Sequence, residues 1–171
     1  AGLDYAAISQ ELEKLITYLG PDGRKIGVDD IREAVGRSSS QTIFDFCDAV
    51  IDGNSAQAIS ALADLIRSER EVLSIQSTLA TQLRRLMAAR VLLDRGSTQD
   101  EAATTLSAGN PKMKWRESKA AAQASRLTQA QIAAMLSRIA QTDLDIKTGA
   151  MSQNLAMEVL VSDLCVQQKL R

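Results

Sequence analysis

Apolar residues recur at helical spacing along most of the chain, most clearly in residues 71–95. This segment contains neither proline nor glycine, and Gly96 follows it where a left-handed residue commonly ends a helix. Its apolar residues fall on two stripes about 100° apart. The first stripe is Val72, Ile75, Leu79, Leu83, Leu86 and Leu93, and the second is Leu73, Ala80, Met87 and Val91. Two stripes require neighbours on more than one side, so we expect the central helix of a bundle, begun by a capping box of Ser68 and Glu71.

The same periodicity predicts shorter helices over residues 5–19, 31–35, 42–52, 54–67, 98–106, 113–126, 128–149 and 152–170. Thr98 with Glu101, and Thr128 with Gln131, have the spacing of capping boxes. We expect the helices over 42–52 and 54–67 to pack on one side of the central helix, and the last two on the other. The apolar positions predicted to face the core are Ile43, Phe44, Cys47, Val50, Ile51, Ile59, Leu62, Leu65, Ile66, Ile132, Met135, Leu136, Ile139, Ile146, Leu155, Val159, Leu160 and Leu164. No segment has a convincing strand pattern, so the predicted fold class is all-α.

A change of character near residue 37 predicts a domain boundary. Gly20-Pro21-Asp22-Gly23 ends the first helix, and Arg37-Ser38-Ser39-Ser40 is the segment most typical of a linker. We therefore expect a small helical piece over residues 1–37 and a helical bundle over residues 38–171.

Composition agrees with helix-on-helix packing. Aromatic residues make up only 3% of the 171 residues, fewer than a sheet commonly carries. Cys47 and Cys165 lie in apolar helical contexts and are expected to be buried, reduced thiols. There is neither a signal peptide nor a long apolar run, so the sequence predicts a cytoplasmic protein without membrane contact.

The chemistry of known catalytic sites is missing from the sequence. There is no histidine, which removes the commonest general base and metal ligand, and the two cysteines lack zinc-ligand spacing. No glycine-rich phosphate loop is present. The sequence therefore predicts no catalytic residue, no cofactor site and no metal site in this chain.

Basic residues are concentrated in the middle of the chain. Residues 84–119 carry eight Lys or Arg and four Asp or Glu, a balance of +4 in a chain of net charge −1. The candidate contacts to a partner or to DNA are Arg84, Arg85, Arg90, Lys112, Lys114, Trp115, Arg116 and Lys119. Trp115 has two interpretations: stacking on a base or a partner's side chain, or sealing the junction between the proline loop and the bundle. Of Phe44 and Phe46, which point to different sides of one helix, one is expected in the core and the other is available to a partner.

The order of these features resembles the delta subunit of the bacterial DNA polymerase III clamp loader. The resemblance is carried by residues 11–15, the turn 20–23, residues 28–31, 43–50, Gly53, residues 82–86, Asn110-Pro111 and residues 143–149. It covers essentially the whole chain. The segment 68–72 departs from the family, because it lacks the glycine and proline that relatives often have before the central helix.

The resemblance implies an architecture and a role. Residues 1–37 would be the end of a helical lid domain and residues 38–171 a C-terminal collar, with the clamp-contacting N-terminal module missing. The collar would join the gamma/tau and delta-prime subunits in the ring that opens the sliding clamp and loads it onto primed DNA. The chain would then be a non-catalytic part of the DNA-directed DNA polymerase holoenzyme, which is a nucleotidyltransferase.

One alternative of a different class stays open at this point. The basic region 84–119 would also suit a stand-alone helical nucleic-acid-binding domain, whose affinity would fall steeply with salt.

Overall fold

The computed structural model describes residues 39–169 and six positions nearer the N-terminus, Ser9, Leu12, Glu13, Ile16, Thr17 and Gly27. Seven helices and no strand occur in residues 39–169, which confirms the predicted all-α fold. They are α1 (Ser39–Ile51), α2 (Ser55–Arg67), α3 (Val72–Asp94), α4 (Gln99–Leu106), α5 (Pro111–Ala124), α6 (Gln129–Lys147) and α7 (Gln153–Lys169). The five described residues of the predicted helix 5–19 are helical. The rest of it, and the predicted helix 31–35, lie outside the described residues.

Backbone contacts divide the chain into two compact units, Ala1–Thr42 and Ile43–Arg171. The core of the second unit is built around α3. The α3 backbone lies closest to α5 and α6 and also approaches α4 and α7. Ala120, Ala121 and Ala124 of α5 are buried, and these small side chains permit close approach. Residues 71–95 are thus the central helix of the bundle, as their two stripes predict.

The predicted packing of α2 on α3 is wrong. The backbone of α2 packs chiefly against α7, while the neighbours of α3 come from later in the chain. Two predicted core positions are wrong for a related reason: Ile59 is 37% exposed and Leu155 is 50% exposed. The apolar stripe of each helix is wider than the face its neighbour covers, so the residue at the stripe's edge stays in solvent. Phe46 is fully buried, whereas Phe44 is only partly buried against the core.

Two of the three predicted capping boxes are confirmed. Thr98 with Glu101 caps α4, and Thr128 with Gln131 caps α6, each with both reciprocal hydrogen bonds. Gly96 adopts φ of 95° after α3, as expected of a left-handed residue that ends a helix.

The capping box predicted at Ser68 and Glu71 is wrong. Ser68 belongs to the end of α2, where its hydroxyl donates to the Leu65 carbonyl at 2.8 Å. Glu71 is the N-cap residue of α3 and makes no side-chain capping bond. Because α2 extends to Arg67, the carbonyls of its last turn accept hydrogen bonds from the N–H and the hydroxyl of Ser68. Ser68 therefore caps the end of α2 and not the start of α3.

Within the part of the chain that the structure describes, none of the helices combines the length and the apolar character needed to cross a bilayer.

Candidate functional site

The eight predicted contact residues do not form one cluster. Arg84, Arg85 and Arg90 lie on α3, and the other five lie on α5. Arg85 and Arg90 are engaged within the bundle, and Arg84 lines a groove between α3 and α6. Lys114, Trp115, Arg116 and Lys119 belong to a surface shared with α1 and α4, which we call the α5 surface. The side chain of Lys112 lies outside the described residues.

Arg90 lies where the C-termini of α3 and α5 meet the start of α6. Its guanidinium donates to the Ala124 carbonyl at 3.3 Å and, at 3.5 Å, to the Ser125 and Leu127 carbonyls beyond the C-terminus of α5. It also pairs with Asp94, which accepts a second bond of 2.7 Å from Gln129 at the start of α6. The hydrogen bond from Arg90, followed by that from Gln129, lowers the pKa of the Asp94 carboxyl below its usual value. Arg90 therefore satisfies backbone carbonyls that would otherwise lack partners.

Arg85 faces a buried carboxylate. Its Nε lies 4.0 Å from Oε1 of Glu117, whose side chain is only 6% exposed. Glu117 is on α5, so this pair joins α5 to α3. A buried charge left without its partner is costly, which assigns Arg85 a part in holding the bundle together.

Trp115 stands out on the α5 surface, since the residue is 63% exposed. The guanidinium of Arg116 lies 4.1 Å from the centroid of the Phe44 ring and 5.7 Å from that of Trp115. A depression of about 40 Å³ opens beside these rings and reaches the side chains of Cys47 and Gln82. Such exposure supports the interpretation of Trp115 as a contact residue over that of a structural seal.

The lysines of this surface already have anionic neighbours. Lys114 Nζ lies 2.9 Å from Oδ1 of Asp100, and Lys119 pairs with Asp48. Gln123 also donates to Asp48, at 3.1 Å. Asp48 is not counted in the +4 balance of residues 84–119, so that balance overstates the positive field at the α5 surface.

A larger cavity, which sequence reasoning missed, lies between α3 and α6. We call it the α3/α6 groove, and its volume is about 450 Å³. Its lining residues are Leu73, Gln76, Ser77, Ala80, Arg84, Leu136, Ile139, Ala140, Asp143 and Lys147. Leu73 and Ala80 belong to the second apolar stripe of α3, and this stripe was the one feature of the sequence that indicated an apolar surface here. The position of α6 could not be read from that stripe.

The described residues offer no arrangement of three or more Asp, Glu or Cys side chains that could hold a metal ion. Cys47 and Cys165 are both buried and neither forms a disulfide, as their apolar contexts predict. Burial, assisted by the negative charge of Asp48, raises the pKa of the Cys47 thiol to about 12, so this thiol stays protonated at neutral pH.

Comparison with known proteins identifies the family. The family model described as DNA polymerase III delta subunit, C-terminal domain, matches residues 40–164, which is most of the chain and nearly all of the helical bundle. The chain belongs to this family.

Two relatives of the delta C-terminal domain family agree over a wider range. DNA polymerase III subunit delta of Bacillus subtilis (strain 168) is 25% identical over 159 residues, covering 93% of this chain. The solved structure of the Bacillus subtilis DNA clamp loader delta protein is similar with a TM-score of 0.68 at 25% identity, covering 94% of this chain. The chain spans less than half the length of each, 44% and 46% respectively.

Proposed function

We propose that this chain is the assembly part of a clamp-loader delta subunit and works in the cytoplasm without a catalytic site of its own. In this role the bundle joins the gamma/tau and delta-prime subunits. The complete subunit helps to open the sliding clamp and to load it onto primed DNA. The observation that carries the proposal is the family match over residues 40–164, together with the similar fold of a clamp loader delta protein.

The domain assignment belongs to the same proposal. Residues 1–37 are proposed to be the end of the lid domain and residues 38–171 the collar. The unit boundary after Thr42 and the start of the family match at residue 40 support a division in this region.

Co-elution tests the assembly role directly. The chain is mixed at micromolar concentration with gamma/tau and delta-prime subunits from the same organism and run on a sizing column. We expect one complex that contains all three subunits. Elution of this chain apart from the other subunits at that concentration would contradict the proposal.

A second proposal concerns the α5 surface: within the assembled loader, Trp115 stacks on a base of the primed DNA. Its exposure beside Arg116 supports this contact, because a base can lie on the ring while the guanidinium stands near a phosphate. The comparisons favour the assembly role over a stand-alone nucleic-acid-binding domain, so the contact is proposed for the complex.

The fluorescence of Trp115 tests this contact, since it is the one tryptophan of the chain. When subunits without tryptophan are used, primed DNA should quench its emission. Trp115→Ala should weaken DNA binding about 5- to 150-fold, the range for loss of one stacked base, while Trp115→Phe retains most of the affinity. Unchanged emission and affinity would exclude the contact. Loss of subunit assembly instead would assign Trp115 to a protein partner.

A further inference from the structure

The shape of the α3/α6 groove suits a bound helix. Gln76 Nε2, near the N-terminus of α3, donates to the Ile139 carbonyl at 2.9 Å, and Gln129 at the start of α6 donates to Asp94 at the C-terminus of α3, so the two helices run antiparallel. On α3 the lining extends over twelve residues, from Leu73 to Arg84, which is about 16 Å or three helical turns. A groove of this length between two helices matches the contact face of a third helix.

The floor of the groove is apolar. Ala80 and Ile139 are buried at its base, with the partly buried Leu136 packed beside them. Leu144 lies one turn beyond Ala140 on α6 and is 53% exposed, so it continues the apolar surface along the helix. An occupant must therefore present apolar side chains along one face.

The charges at the two ends differ. At the end near Leu73, Asp143 and Lys147 neutralise each other at 2.6 Å. At the other end Arg84 is exposed, and no described carboxylate forms an ion pair with it. The groove therefore offers one cation without a described counter-charge, which an acidic side chain of the occupant would complement.

We propose that the α3/α6 groove receives an amphipathic helix of another clamp-loader subunit, with its apolar face on the floor and a carboxylate against Arg84. This inference rests on the assembly role proposed above and names the surface that performs it. Apolar contact supplies most of the affinity, while the Arg84 pair fixes the direction of the incoming helix.

Blocking the groove at an exposed position tests the proposal. In Ala140→Glu a longer, charged side chain stands in the groove, and we expect at least a tenfold loss of affinity for the gamma/tau and delta-prime subunits. Ala134→Glu is the matched control, because Ala134 is also exposed on α6 but does not line the groove. Its affinity should equal that of the unmodified chain. Equal thermal melting of both variants verifies that the fold is intact.

The charge requirement has its own variant. Arg84→Glu should weaken the same association severalfold, and Arg84→Lys should restore most of it, because an ammonium still attracts the carboxylate. If Arg84→Glu leaves the affinity for the other subunits unchanged, the bound helix does not place a carboxylate against Arg84.

The outcomes separate this inference from the assembly role. If the unmodified chain fails to bind the other subunits, the assembly role and the groove proposal both fall. If it binds and Ala140→Glu binds equally well, only the groove proposal falls. Self-association of the unmodified chain that Ala140→Glu abolishes, seen by sedimentation, would assign the groove to a second copy and overturn the proposal.

Discussion

Glu69 holds a left-handed backbone conformation, with φ of 57°, in the turn between α2 and α3. Its N–H donates to the Ile66 carbonyl at 3.0 Å, and the Arg70 N–H donates to the Leu65 carbonyl at 3.1 Å. This pattern is the Schellman motif, whose left-handed position normally holds glycine. A β-carbon at this position destabilises the folded protein by about 1–2 kcal/mol. Glycine avoids this strain, but part of the gain is offset because glycine has more conformational freedom in the unfolded chain.

We therefore expect Glu69→Gly to raise the free energy of unfolding by about 0.5–1 kcal/mol. Urea denaturation followed by circular dichroism measures the change. Glu69→Ala is the control, because it removes the carboxylate but keeps the β-carbon. Equal stability of the two variants would show that the backbone conformation is not the cause.

The raised pKa of Cys47 makes stability depend on pH in the alkaline range. A folded-state pKa near 12 lies above the ordinary value of 9.0, so the folded protein holds the thiol proton more tightly than the unfolded chain. The contribution of the protonated thiol to the free energy of unfolding is fully present below pH 9 and is lost as the pH rises towards 12. The slope is about 1.4 kcal/mol for each pH unit within this window.

Comparison with Cys47→Ala isolates this contribution from that of lysine and tyrosine side chains. The alanine variant is less stable at pH 8 because it leaves a small cavity. The difference in unfolding free energy between the two proteins should shrink by about 1 kcal/mol between pH 8 and pH 10. A difference that stays constant over this range would mean that the thiol ionises normally in the folded protein.

At the scale of helices, Arg90 links the end of α3 to the end of α5. Arg90→Lys keeps the positive charge but loses the planar fork that reaches Asp94 and several carbonyls together. We expect a loss of about 1–2 kcal/mol in the free energy of unfolding. Arg84→Lys, an exposed substitution on the same helix, should change stability by less than about 0.5 kcal/mol. Equal effects would contradict the capping role of Arg90.

The same helices show what the sequence can and cannot predict. Local signals such as Thr98 with Glu101 are confirmed because their partners lie within one turn. The tertiary partners of Arg85 and Arg90 are a carboxylate 32 residues away and carbonyls 34–37 residues away, which no spacing rule connects. Periodicity identified Leu155 as apolar but not as exposed, because exposure depends on where the neighbouring helix lies.

For the molecule as a whole, the hydrophobic cluster formed by the described residues extends from Ile43 to Cys165. The family match, 40–164, coincides closely with this range. Local patterns predicted this all-α bundle, yet the α3/α6 groove exists only once α6 has packed against α3. The parts of the molecule proposed for assembly are thus those that depend most on the arrangement of helices.

Because the described residues share one hydrophobic cluster, we expect residues 39–171 to unfold in one cooperative transition, retaining a near-ultraviolet circular dichroism signal up to the midpoint. Leu79→Ala should then lower the melting temperature by roughly 10 °C or more, because Leu79 is fully buried and its removal leaves a cavity. Leu155→Ala removes the same atoms from a side chain that is 50% exposed, and should lower it far less. In a loosely packed bundle, side chains have no fixed neighbours, and the two substitutions would have similar effects on a gradual transition. The ratio of the two shifts therefore measures whether the helices around α3 are packed as described.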